Sequence, residues 1–237
     1  MKIILMYYDR YDEATTSLEL DKINEPHYVL CHNNKERFTC IGKTGTLVET
    51  NKPRGIQHNF NFGLDMLEDG EWGIFLSDDY VGSKKLVGEK FIDCPMSHPL
   101  KELKNIIPKA DEAGIKLIGL SSTGNPFYAQ KKYSKYGLVD GRCFAIKKTD
   151  FRWHKGISTV TDYYVTVYHL KKYGGNLILN HTYMDFERYK PKGLGSVEER
   201  IPDKMHDIEL MMTLFPDNIV VKDKVNQPKG SHIVIKR

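Results

Sequence analysis

The chain has 237 residues, of which 40% are hydrophobic and 28% charged, with a formal net charge of +4. That length buries a sizeable core in one compact domain, and the composition excludes a disordered or fibrous chain. The mild positive balance demands no nucleic-acid partner by itself. Apolar runs are far too short to cross a bilayer, and no secretory signal opens the sequence, so no membrane association is expected. Cys31, Cys40, Cys94 and Cys143 contain no CxxC pair, which points to reduced thiols and a cytoplasmic location.

In chain order, Lys2 to Tyr7 reads as a buried opening strand, ending in the polar stretch from Asp9 to Glu13. Tyr28 to Cys31 is a second strand, and Lys43 to Thr46 a turn. Ile56, Phe60, Leu64 and Leu67 share one helical face, stopped by Gly70. Trp72 to Leu76 is long enough for a strand and too short for a helix, and it delivers the chain to Ser77–Asp78–Asp79. Pro99 to Ala113 reads as a partly helical connector broken near Pro108. Lys116 to Leu120 and Gly141 to Ile146 read as strands. A helix is expected from Thr161 to Tyr173, with Thr161–Asp162 at its start and Gly174–Gly175 at its end. Asn176 to Leu179 is a strand stopping at Asn180–His181, Asp203 to Phe215 a helix, and Ile219 to Val221 a short strand. The alternation of short strands with helices predicts an α/β fold with a mostly parallel central sheet flanked by helices.

Ligands of such sheets bind at the carboxyl ends of strands. Three polar groups fall there: Asp9–Arg10, Asp78–Asp79 and His181. Adjacent carboxylates repel unless a cation or hydrogen-bond donors offset them, so a magnesium or manganese ion is one reading of Asp78–Asp79. A plain turn before Gly82 is the other. Asp162 is either a helix cap or a functional acid, and His181 either satisfies a carbonyl or completes a metal shell. Arg142, Arg152, His154 and Lys155 flank Phe151 and Trp153, a mixture that holds phosphates and stacks on rings, or else forms a solvated loop.

Asn61–Phe62–Gly63–Leu64, then Gly70–Glu71–Trp72, then Phe75–Leu76–Ser77–Asp78–Asp79 resembles the signature of GT-A glycosyltransferases. The resemblance implies a Rossmann-like GT-A domain over 1–237, with a nucleotide-sugar half (1–80), an acceptor half (81–200) and a C-terminal helix and tail (201–237). It implies that Asp79 binds a divalent metal on the donor diphosphate, with Asp78 near the ribose or metal. Ser77 replaces the usual first acid of the DxD triplet. Gly137 to Gly141 is similar to the glycine-containing segment before the acceptor site. Asp162 is similar to the catalytic base and His181 to the C-terminal metal ligand. Tyr8 and Arg10 stand where the family holds uracil and ribose, and Asn61 belongs to the donor half. Tyr8–Asp9–Arg10, Leu76–Ser77–Asp78–Asp79 and Asp162–Tyr163 together look most like the TET-associated glycosyltransferases of bacterial viruses. These transfer sugars to hydroxymethylated pyrimidines, such as hydroxymethylcytosine, in DNA.

The resemblance therefore implies transfer from a UDP-sugar, with Mn2+ or Mg2+ as cofactor. The metal is expected at Asp79 and His181, the nucleotide at Tyr8 and Arg10, and the acceptor proton at Asp162. With DNA as acceptor, Lys131, Lys132, Lys135, Arg152, Lys155, Lys190 and Lys192 are the candidate phosphate contacts. A glycan or protein acceptor on the same fold is an alternative. A metal-dependent nuclease or phosphoryl-transfer enzyme and a non-catalytic binding module are readings from other classes.

Overall fold

A computed structural model describes residues 1–7, 14–31, 41–50, 55–187, 200–223 and 232–236. The chain forms β1 (Lys2–Met6), α1 (Thr15–Lys22), β2 (His27–Cys31), β3 (Gly45–Glu49), α2 (Ile56–Asp65) and β4 (Trp72–Ser77), then the hairpin β5 (Tyr80–Val87) and β6 (Lys90–Cys94). It continues through α3 (Ser97–Glu112), β7 (Leu117–Ser121), a 3-10 turn (Pro126–Ala129), β8 (Tyr133–Ser134), β9 (Cys143–Lys147), α4 (Thr161–Tyr173) and β10 (Leu177–Phe186). Beyond these come α5 (Ile201–Leu214), β11 (Ile219–Lys222) and β12 (His232–Ile235), the last two forming a separate antiparallel pair.

Among the described residues, ten strands make one sheet in the order β3-β2-β1-β4-β9-β7-β10-β5-β6, with β8 beside β10. β3, β2, β1 and β4 are mutually parallel, and so are β7 and β10. β9 runs antiparallel between β4 and β7, and β5 runs antiparallel between β10 and β6. The result is a mixed α/β sheet, mostly parallel in strand direction and flanked by helices. Alternate residues of each central strand enter opposite cores. Ile4, Met6 and Phe75 pack with Phe60 and Leu64 of α2 and with Val165 of α4, while Ile3, Leu5 and Ile74 pack with Leu20 of α1 and Leu100 and Leu103 of α3. With both faces covered, the central strands read as continuous apolar runs. Among the described residues, no helix is long and apolar enough to cross a membrane.

Two expectations need correction, at α3 and β10, and two further features were not foreseen. The hairpin from Tyr80 to Cys94 has no strand signal in the sequence, because Val81, Val87 and Ile92 are exposed and no buried alternation marks it. α3 is not broken at Pro108. Its buried stripe of Leu100, Leu103, Ile106 and Ala110 carries the helix through, and Pro108 is exposed, on the face where the unmatched carbonyl can meet water. β9 is antiparallel, which an apolar run buried on both sides cannot reveal. Finally, β10 does not stop at Asn180–His181 but continues to Phe186, with its pairing to β7 slipping between Leu179 and Tyr183.

The sheet has one point that matters for a ligand. From β1 the chain passes through α1 to β2 on one side, whereas β4 lies on the other side of β1. A crevice opens outside the carboxyl ends of the strands where the order reverses in this way. Tyr7 follows β1 there, and Ser77–Asp78–Asp79 ends and follows β4.

Candidate functional site

The backbone at Ser77 to Tyr80 is fixed from three directions. The first turn of α1 bonds it: Thr16 Oγ1 donates to the Ser77 carbonyl at 2.7 Å and accepts from the Tyr80 N–H at 3.0 Å, and Thr15 Oγ1 donates to the Asp78 carbonyl at 3.1 Å. The Ser77 N–H donates to the Arg142 carbonyl at 2.8 Å, and the Glu187 N–H donates to the Asp79 carbonyl at 2.9 Å. Asp78 is buried, whereas Asp79 is half-buried and accepts a 2.6 Å hydrogen bond from Ser77 Oγ. Ser77 therefore orients one Asp79 oxygen, a positioning role the sequence did not reveal.

Beside Ser77, on the neighbouring strand, Asp140 and Arg142 precede β9. Asp140 Oδ1 accepts from the Arg142 N–H at 3.0 Å and from Nε at 2.9 Å, and Oδ2 accepts from Nη2, a two-pronged pairing of the guanidinium. This pair keeps Arg142 protonated, with Asp79 acting in the same direction. Arg142 Nη1 also reaches the Phe186 carbonyl at 3.5 Å, beside Asp185, whose Oδ1 accepts from Tyr183 Oη at 2.7 Å.

Asp162 lies at the second residue of α4, not at its cap. The N-cap is Val160, with no side-chain cap hydrogen bond. The carboxyl accepts the adjacent Tyr163 N–H at 2.9 Å and sits against Gly141, where a Cβ would come within 3.4 Å of the Asp162 Cβ. Burial pushes its pKa up to about 6; the Tyr163 N–H and Arg142 work against that, and the charge on Asp140 adds to it. An acid held near 6 is poised to exchange a proton close to neutral pH. Asp78, Asp79, Asp140, Asp162 and Asp185 thus share one end of the sheet with the guanidinium of Arg142. Arg142 was read as one of several basic residues near Phe151 and Trp153, and Asp140 as part of the Gly137 to Gly141 segment, but their pairing was not foreseen, and Tyr183 and Asp185 carried no signal.

The structure does not bring His181 to Asp79. His181 lies in β10 five residues before Phe186, which pairs with Tyr80. At roughly 3.3 Å per strand residue, that is about 16 Å from the Asp79 turn. Its Nε2 stands 2.8 Å from Glu102 Oε2, and its ring packs edge-on to Tyr133. Burial works to raise the Glu102 carboxyl, but the His181 hydrogen bond and the charges of His181, His98 and Lys132 outweigh it and leave the carboxyl lowered. Among the described residues, no group of three His, Cys, Asp or Glu side chains could hold a metal ion.

Asn61 has a packing role. Its Nδ2 donates to the Trp153 carbonyl at 2.9 Å and its Oδ1 accepts the Trp153 N–H at 2.8 Å, tying α2 to the segment after β9. Trp153 stacks on Phe60 at 4.6 Å, and a Cβ on Gly63 would strike Phe75 at 2.6 Å. Asn61 and Gly63 of the recognised pattern are thus explained by close helix–sheet contact. Asn61→Ala orphans two backbone groups of Trp153 and is expected to cost about 2–4 kcal/mol of stability. Chemical denaturation should show that loss.

Arg152 bonds Asp65 at 2.9 Å at the end of α2, the sheet edge opposite the acidic group, and Lys155 is exposed on the same connecting segment. Lys131, Lys132 and Lys135 are exposed together around β8. Tyr8, Arg10, Lys190 and Lys192 lie outside the described residues. No protein-family model matches the chain, and no curated protein matches it.

Proposed function

We propose that the chain is a metal-dependent glycosyltransferase of the GT-A kind that moves a sugar from a UDP-sugar to a hydroxyl acceptor. The observation that carries this reading is the acidic group at the point where the strand order reverses: Asp78–Asp79 after β4, facing Asp140–Arg142 and Asp162. A nucleotide belongs in such a crevice, and a surplus of carboxylates there favours a cation.

The residues fit a metal shared with the substrate. Magnesium and manganese are commonly held by one or two carboxylates plus substrate phosphates, and Asp79 supplies the first. His181, bound to Glu102, takes no part. When bound, the ion neutralises charge on the departing diphosphate. Ser77 fixes the orientation of Asp79, and the Asp140–Arg142 pair keeps a positive charge beside it. Asp162 accepts the acceptor proton, since at neutral pH a carboxyl of pKa about 6 is mostly ionised. The acceptor in this reading is a hydroxymethylpyrimidine of DNA, approached along the lysines around β8.

A thermal-shift screen of nucleotide sugars with and without manganese tests the donor half. A UDP-sugar is expected to raise the melting temperature only when the metal is present. Stabilisation by no nucleotide sugar under either condition overturns the proposal.

A further inference from the structure

We propose that the segment from Asn125 to Tyr136 is a stacking platform for a single-stranded nucleic acid. Phe127 and Tyr128 are 67% and 65% exposed, and their rings meet edge-to-face at 5.3 Å. Tyr133 and Tyr136 are also exposed at the surface, and Lys132 Nζ lies 5.4 Å from the centre of the Tyr133 ring. Lys131, Lys132 and Lys135 are exposed, and the segment contains no acidic residue. Large apolar side chains grouped at a surface mark an interaction site.

These side chains stand out from a backbone that is tied down. The Asn125 side chain accepts the Phe127 N–H at 3.0 Å. Asn180 Nδ2 donates to the Lys131 carbonyl at 2.8 Å and to Ser134 Oγ at 2.7 Å, while the Asn180 N–H donates to the Lys132 carbonyl at 3.0 Å. Asn176 bonds the Lys135 carbonyl through its N–H and brackets Gly137 through its side chain. The first residues of β10, with Asn176 just before them, thus hold β8. Such anchoring lowers the ordering cost of binding.

Charge and ring chemistry together choose the occupant. Lysines alone would bind any polyanion, and aromatic rings alone would suit a sugar or an apolar peptide. The combination fits a chain with a phosphate at every step and a flat ring at every step, with its bases free of partners so that they can stack. The start of the platform approaches the acidic crevice. It begins just after Gly124, where a Cβ would lie 3.4 Å from the Tyr183 ring, and Tyr183 bonds Asp185. Only its role as an acceptor-strand holder rests on the transferase reading; the binding itself does not.

Fluorescence anisotropy with a labelled mixed-sequence DNA oligonucleotide of about 12 nucleotides, single-stranded or annealed, and with no sugar nucleotide present, tests the inference. The single strand should bind more tightly than the duplex. Phe127→Ala and Tyr128→Ala should each weaken it about fivefold to a hundredfold, with unchanged melting temperature because both rings are exposed. Adding salt should weaken binding steeply, and replacing Lys131, Lys132 and Lys135 by Gln should flatten the slope of log affinity against log salt by about 2. Asp79→Asn should bind like the wild type. Equal or tighter binding of the duplex, unchanged binding by the Phe127→Ala/Tyr128→Ala double variant, or capture of a neutral oligosaccharide instead overturns the inference. Strand binding without any sugar transfer would refute the transferase reading and leave the platform standing; metal-dependent release of UDP without strand binding would do the reverse.

Discussion

Replacing Asp162 by Asn is expected to lower sugar transfer by about 10²- to 10⁴-fold, the usual range for losing a general base, and at the same time to raise the melting temperature at pH 7–8. Both effects follow from one observation. Burial raises the carboxyl from the ordinary value of 3.8 to about 6 in the folded chain. The folded state therefore holds its proton more tightly than the unfolded state does. The associated stability is fully present below about pH 4 and lost as pH rises through 6. Above that, the wild type keeps an ionised carboxylate in a desolvated place beside Asp140, a cost Asn does not carry. Melting temperatures of the two proteins should converge in acid, separate as pH rises from about 4 to 6, and stay apart above that. The wild-type pH–rate profile should climb through about 6 and then level off, because a base must be deprotonated to act. A profile flat from pH 5 to 8 would remove Asp162 from the proton transfer.

Asp79→Asn carries the other large effect. A side chain that holds a catalytic divalent ion supports several kcal/mol of transition-state stabilisation, so turnover should fall about 10³-fold or more. Ser77→Ala should produce a smaller change, about 10- to 100-fold, because its hydroxyl only orients the Asp79 oxygen at 2.6 Å. Raising the manganese concentration should recover part of the Ser77→Ala loss, since the ligand itself remains. Equal losses in the two variants, with no recovery, would mean that the pair stabilises the turn after β4 and holds no metal.

The layered fold was largely legible because its inner strands are buried on both faces. Ile3 to Leu5, Ile74 to Leu76 and Ile118 to Leu120 are continuous apolar runs, and Gly174, at φ 70°, ends α4 as its position suggests. Such runs carry no information on direction, so the antiparallel course of β9 was hidden. The hairpin at Tyr80 to Cys94 was hidden for the opposite reason: too little of it is buried to leave a period. Within the site, Asp78–Asp79 was legible from its place at a strand end, whereas its support by Thr15 and Thr16 depends on the seating of α1 some sixty residues away in sequence. The Asn61 amide looked like part of a donor motif, and its bonds to Trp153 depend on a segment that no local pattern could have brought to it. His181 was placed with Asp79 on the expectation that its strand ended at Asn180. Six further residues of β10 carry the contact with the Asp79 turn to Phe186 and Glu187 instead, and leave the imidazole with Glu102.

The most direct test of the metal-assisted donor site proposed after β4 is the release of free UDP from a UDP-sugar, measured with manganese, with a chelator, and with Asp79→Asn. Release that requires the metal and disappears in Asp79→Asn is the expected result. Undiminished release by Asp79→Asn, or cleavage of an oligonucleotide with no UDP formed from any sugar nucleotide, would contradict it.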